Sequence, residues 1–176
     1  INFDFHEKSF QFQEYSEWIP NLGIVYHLGI DGISLPFILL TTFLVPICIL
    51  CSWNAIKHRI KEFMISFLIL ETFVIGTFCS LDLIVFYIFF EAVLIPMFLI
   101  IGIWGGSNRV YAAFKFFLYT LFGSVLMLIA IIYILNIVGS SDLTKVLNYN
   151  FGEKIQIWLF LAFMISFAVK VPMWPF

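Results

Sequence analysis

Long apolar runs separated by short polar breaks set the pattern of this chain. From Gly32 to Ile56 there is no Asp, Glu, Lys or Arg, which at about 1.5 Å per residue is enough to span a hydrocarbon core of about 30 Å. Asp31 and Ser34 are placed to cap that helix, Pro36 falls in its first turn where a missing N–H costs nothing, and Pro46 is expected to kink it. A basic connection, Lys57-His58-Arg59-Ile60-Lys61-Glu62, leads to a second span over 63–80, interrupted only by Glu71. Leu81 and Asp82 leave room for nothing but a tight turn, so the third span, 83–104, must run antiparallel beside the second. Gly105-Gly106-Ser107-Asn108-Arg109 breaks it. A fourth span covers 113–138, free of charge from Phe116 to Val138, and a polar loop, Gly139 to Lys154, precedes a fifth over 155–176 that carries Lys170, Pro172 and Pro175. Residues 1–31 hold five acids and show no periodic apolar face, so they read as an extramembrane segment and not as a helix. The expected fold is all-α: a polytopic membrane helix bundle of about five transmembrane helices, 32–176, behind that segment.

Composition agrees. Hydrophobic residues make up 62% and charged residues 11%, with a mean hydropathy of +1.06, whereas about a quarter of a soluble domain is charged. A net charge of −2 gives nucleic acid no evident footing, and membrane lipid is the expected surrounding. Cys48, Cys51 and Cys79 lie inside apolar runs, where thiols pack as small hydrophobes; no disulfide or metal site is expected. The opening residue is Ile and no signal peptide is visible, so the chain is expected to be processed or a piece of a longer one. The abundance of Phe, Ile and Leu fits an AT-rich coding genome such as an organelle's.

Orientation follows from the cations. Lys57, Arg59, Lys61, Arg109 and Lys115 fall on one side, while Lys8, Lys145 and Lys154 on the other are balanced by more numerous acids. By the positive-inside rule the basic side faces matrix or cytoplasm, with Trp53 and Trp104 at that interface and Trp158 at the opposite one.

Glu71, Glu91 and Lys170 are the ionisable residues well inside the predicted spans. A charge at the centre of a membrane helix costs about 2.5–3.5 kcal/mol on insertion scales, so each needs a reason. Counted from the turn at Leu81 and Asp82, Glu71 and Glu91 lie at similar depth near the midplane, Lys170 lies slightly inward of centre, and the three are expected in one layer. Pro96 leaves the Ala92 carbonyl without its helical donor, and Pro172 is expected to free that of Ala168. Broken helices beside charges line mid-membrane cavities in transporters. Burial favours the neutral forms of an acid and a base and pairing favours the charged ones, so a Glu and Lys in contact suit a proton relay. The plainer alternative is a structural ion pair, and for Glu71, simple packing. Thr120, Gly123, Ser124 and Met127 read as a close helix contact, His58 as solvated, and His27 as a local hydrogen-bond partner and not a metal ligand.

Four stretches carry a resemblance: YHLGIDGISL at Tyr26 to Leu35, LDLIVFYIFFEAVLIPMFLIIGIWG at Leu81 to Gly105, FFLYTLFGSVLMLIA at Phe116 to Ala130, and FAVKVPMWPF at Phe167 to Phe176. Together they resemble the subunit 4 family of respiratory complex I, the proton-pumping NADH:ubiquinone oxidoreductase, itself related to subunits of multisubunit sodium/proton antiporters. The resemblance implies part of an antiporter-like inverted-repeat fold with a broken last helix. It implies Glu91 as the acid that modulates and Lys170 as the lysine that accepts and passes the proton, with Glu71 a less secure third member. It further implies that NADH, FMN, iron–sulfur clusters and ubiquinone are bound by other subunits of the complex, consistent with a sequence lacking a Gly-rich dinucleotide loop or a Cys ligand set. Implied partners are the other membrane-arm subunits and, if the gene is split, a chain carrying the missing C-terminal half. The implied location is the mitochondrial inner membrane, or alternatively a bacterial plasma membrane. Two other functions stay open at this point: a cation/proton antiporter without redox partners, and a structural membrane scaffold.

Overall fold

The computed structural model describes residues 3, 4, 7 and 9–173. It opens with an antiparallel hairpin, β1 (Gln11–Ile19) and β2 (Ile24–Ile30), joined by a 3-10 turn at Pro20–Leu22. Seven helices follow: α1 (Ser34–Ser52), α2 (Ile60–Cys79), α3 (Leu83–Ala92), α4 (Leu94–Trp104), α5 (Arg109–Val138), α6 (Leu143–Leu147) and α7 (Glu153–Lys170). Lys8, Pro175 and Phe176, to which sequence expectations attach, lie outside the described residues.

Among the described residues, four helices are long and apolar enough to cross a membrane: Ser34–Ser52, Ile60–Cys79, Leu83–Trp104, which is α3 and α4 taken together, and Arg109–Val138. The chain is a multi-pass membrane protein. α7, in the place of the expected fifth span, is 18 residues long but carries Glu153, Lys154 and Lys170. Large apolar side chains point outward along the bundle, among them Leu50, Phe122, Trp158 and Phe160, as a bilayer permits and water does not.

Residues 1–31 were expected to be an extramembrane segment and not a helix; over its described residues the segment forms a β-hairpin, which the sequence pattern did not specify. Its inward face is Val25, His27 and Gly29, alternating along β2. Only one of those three has an apolar side chain, so hydropathy alternation does not reveal the strand. A Cβ on Gly29 would lie 2.6 Å from Leu81, and one on Gly23, where φ is +67°, would lie 2.1 Å from the Gly139 carbonyl oxygen. These glycines let the hairpin seat directly on the α2–α3 turn and on the segment after α5.

The tight turn does make α2 and α3–α4 antiparallel neighbours: Gly76 faces the Phe89 ring near the turn, and Phe63 meets Trp104 edge-on, 5.2 Å between centroids, at the far end. Trp104 Nε1 donates to the His58 carbonyl at 2.9 Å. The two basic connections, before α2 and before α5, therefore sit on the same side. α2 and α5 start earlier than the hydropathy pattern predicted, at Ile60 and Arg109, because helix continues through their basic first turns. The polar loop after α5 contains the short helix α6, which Asp142 caps.

The third span loses one helical hydrogen bond midway, with Val93 still at helical dihedrals (φ −53°, ψ −30°). Val93 separates α3 from α4, three residues before Pro96, which has no N–H to offer Ala92 four residues back. α7 stops at Lys170, before Pro172. Here one expectation fails, since the Ala168 carbonyl is not left free: it accepts at 2.9 Å from the Met173 N–H, one residue beyond the donor position that Pro172 leaves empty.

Candidate functional site

Two helix interruptions converge. Glu91 is the penultimate residue of α3 and Lys170 is the last of α7. Lys170 Nζ lies 3.5 Å from Glu91 Oε1, with side chains only 18% and 15% exposed. The ammonium also donates to the Phe90 carbonyl and sits 3.3 Å from the centroid of the Phe90 ring, a cation–π contact that gains strength when water is excluded. Phe167 stands edge-on to Phe90, 5.7 Å between centroids, and Phe86 stacks on it at 5.5 Å. An ion pair in so apolar a setting gains Coulomb energy and suffers a desolvation cost of similar size, so it stabilises little by itself.

Its polar groups are incompletely satisfied. Glu91 Oε2 and Ser166 Oγ are buried with no hydrogen-bond partner among the described residues, and buried polar atoms left so are uncommon in native proteins. Tyr87, one helical turn before Glu91, lies beside Ser124 and within electrostatic reach of Glu91. The face of α5 predicted to pack closely does so: Thr120, Ser124 and Met127 are buried, and a Cβ on Gly123 would lie 2.6 Å from the Val169 side chain. That glycine lets α7 approach α5 and so sets where Lys170 ends up.

Glu71 stands apart. It is half-buried on α2, and its side chain makes no hydrogen bond or ion pair among the described residues, so of the three charges only Glu91 and Lys170 are in contact.

A second polar cluster went unread in the sequence. Asp82, 1% exposed, accepts from the backbone N–H groups of Ile84 (2.8 Å), Val85 (3.1 Å) and Val25 (3.4 Å) and from the Ser141 hydroxyl. Asp142, 3% exposed, caps α6 through Thr144 and faces His27. Main-chain bonds lace the same three segments: Leu81 N to His27 O, Leu83 N to Ser141 O, Leu143 N to Leu81 O and Ser141 N to Gly23 O. The available signal was a pair of Asp residues each standing one position before an apolar helical start, the N-cap pattern. His27 is a local hydrogen-bond partner, as expected, with Gln13 Oε1 at 3.2 Å.

Residues 80–176 match the family described as NADH:quinone oxidoreductase/Mrp antiporter, TM, and residues 8–77 match NADH-ubiquinone oxidoreductase chain 4, amino terminus. The chain belongs to this family. It is 54% identical over 176 residues to NADH-ubiquinone oxidoreductase chain 4 of Arabidopsis thaliana and 50% identical over 186 residues to NADH-quinone oxidoreductase subunit M of Rhodobacter capsulatus; these alignments cover 99% and 98% of the chain and 36% of each relative. Among solved structures, a chain of respiratory complex I from Thermus thermophilus with bound NADH superposes with a TM-score of 0.81 at 33% identity, covering 93% of this chain and 34% of that one. The chain thus spans about a third of the length of the family members it matches. The four stretches that carried the resemblance all fall within the matched regions.

Proposed function

We propose that this chain forms part of a proton-translocating membrane-arm subunit of respiratory complex I, in which Glu91 and Lys170 relay protons while NADH oxidation by quinone proceeds in other subunits. The observation that carries the reading is the buried contact between Glu91 and Lys170, 3.5 Å apart where α3 and α7 both end, in a chain of this family. An acid and a base at hydrogen-bond reach, with one carboxylate oxygen unpartnered, hold a proton that small changes in separation redistribute between them. In this reading α3 and α7 contribute the two groups, the Phe86, Phe90 and Phe167 rings keep water from short-circuiting them, and Glu71 remains a secondary candidate. NADH, FMN, iron–sulfur clusters and ubiquinone belong to other subunits, and the partners are the remaining membrane-arm subunits and the rest of the family's length. The basic connections face the matrix and the hairpin faces outward. Relatives named chain 4, from Arabidopsis thaliana and Marchantia polymorpha, are 54% and 53% identical, and bacterial subunit M relatives 50% or less, which favours the mitochondrial inner membrane over a bacterial one.

The test is Glu91→Gln in the full-length protein within its assembled complex, with proton uptake followed in sealed vesicles during NADH oxidation. Pumping should fall to about a tenth or less, as loss of a proton-transfer group does, with assembly intact; full pumping in that variant overturns the assignment. The family description also covers antiporters, and the second reading, a cation/proton antiporter subunit, is distinguished by purification: flavin and iron–sulfur subunits accompany a complex I subunit and are absent from an antiporter.

A further inference from the structure

Two of the buried polar atoms without a partner among the described residues, Glu91 Oε2 and Ser166 Oγ, belong to one place. Ser166, 2% exposed, stands one helical turn before Lys170 on the same face of α7. Side chains on a helix lean toward its N-terminus, so the Lys170 ammonium is drawn back toward the level of Ser166. Glu91 Oε1 lies 3.5 Å from that ammonium, and Oε2 is the other oxygen of the same carboxylate. Phe167, next after Ser166, is in ring contact with Phe90, next before Glu91, 5.7 Å between centroids, so α7 and α3 face each other at this level. The ammonium also has a donor to spare. Of its three N–H groups, one goes to the Phe90 carbonyl and one points at Glu91 Oε1, and the third meets no oxygen acceptor among the described residues. The contact with Oε1, at 3.5 Å, is longer than the roughly 2.7–3.2 Å of a well-formed N–H···O bond.

We propose that a bound water molecule joins Glu91 Oε2, Ser166 Oγ and the Lys170 ammonium, and that Ser166 is the positioning residue that holds this water between the acid and the base. A buried water takes about two to four polar partners. Here it finds three of complementary kinds: an ammonium that only donates, a carboxylate oxygen that only accepts, and a hydroxyl that does either. The water accepts from Lys170, donates to Oε2 and gives its remaining bond to Ser166, which leaves none of the three groups unpartnered. Two successive O–H···O bonds reach across about 5.5 Å, the offset of one helical turn. The Phe86, Phe90 and Phe167 rings that surround the pair offer no competing bond of that strength, so the three polar groups set the water's orientation. The transfer it permits is balanced. An N–H bond of Lys170 breaks as its proton passes to the water, and an O–H bond of the water breaks as a proton passes to Oε2, leaving a neutral amine, a neutral carboxylic acid and an unchanged water. The role of Ser166 in transfer rests on the relay reading above, whereas the water site rests on the three groups alone.

An experimental density map of the full-length protein in its assembled complex, fine enough to show ordered waters, tests the site. Density for a water is expected within about 3.2 Å of both Glu91 Oε2 and Ser166 Oγ. No density there, or a protein side chain bonded to both atoms in its place, overturns the proposal whatever Glu91→Gln does to pumping. Ser166→Ala tests the role, with proton uptake during NADH oxidation followed in sealed vesicles in ordinary and in heavy water. The variant should pump about three- to tenfold more slowly, the scale of one hydrogen bond, and the ratio of its rates in the two solvents should differ from that of the unmodified protein, which a serine that only packs would leave alone. Unchanged pumping, or a lower rate with an unchanged solvent ratio, overturns the positioning role. Full pumping in Glu91→Gln with the water in place refutes the relay and leaves the water site standing, so the two failures are told apart; if Ser166→Ala fails to assemble, the map of the unmodified complex still decides.

Discussion

Two buried polar clusters lie at opposite ends of α3, and they are built on opposite principles. At its start, Asp82 is surrounded by four donors from three segments of chain. Near its end, Glu91 has one oxygen on Lys170 and the other on nothing described. A carboxylate with every lone pair engaged is held in place by its donors; one with an oxygen left unpartnered among the described residues is not so held. The same side-chain chemistry thus serves as a rivet at Asp82, whereas at Glu91 it leaves the unpartnered oxygen that the proposed relay would use, and the surrounding donors make the difference.

The comparison predicts unequal consequences of mutation. Lys170→Met strands the Glu91 charge in an apolar site, and removing one partner of a buried pair costs about 3–5 kcal/mol; thermal unfolding should report that loss, and proton pumping should vanish with it. Asp82→Ala removes the α3 cap and leaves Ser141 and the Val25 N–H unpaired, for about 2–3 kcal/mol, yet in whatever complex assembles, pumping per complex should remain. If Asp82→Ala abolished pumping in a fully folded complex, the division of labour between the two clusters would be wrong. Gly123→Ala is subtler. Its new methyl would meet Val169 at 2.6 Å, so α5 and α7 must separate slightly, at about 1–2 kcal/mol, and pumping should drop part-way because Lys170 shifts from Glu91. The smallest effect belongs to Asp31, ahead of α1. Burial raises its carboxyl's affinity for a proton, but hydrogen bonds from the Ser34 and Ile33 backbone and from Ser34's side chain prevail and hold it below the usual carboxylate range. The capping contribution is therefore present at neutral pH and lost as pH falls through that lowered value; faster amide exchange at Ile33 and Ser34 in acid, absent from Asp31→Asn, would register it.

The membrane helices were legible because a bilayer demands long uncharged runs, and Glu91 and Lys170 stood out because they violate that demand. Their meeting was legible only as a shared depth; which faces they occupy depends on Gly123 admitting α7 and on the interruption at Val93, neither of which a hydropathy pattern encodes. Glu71 shares the violation but not the contact, since depth does not fix azimuth. The hairpin and its cluster were hidden for a different reason. There the buried groups are His27, Asp82, Ser141 and Asp142, residues that a sequence reader assigns to solvent, and their burial is possible only because segments far apart in the chain satisfy one another.

α3 is short: ten residues, about 15 Å of helix. Anchored at Asp82 and passing into α4 through Val93, which keeps helical dihedrals, it bears Glu91 one residue before its end. The carboxylate that four donors hold and the carboxylate that keeps an unpartnered oxygen thus share one rigid element, under three helical turns apart.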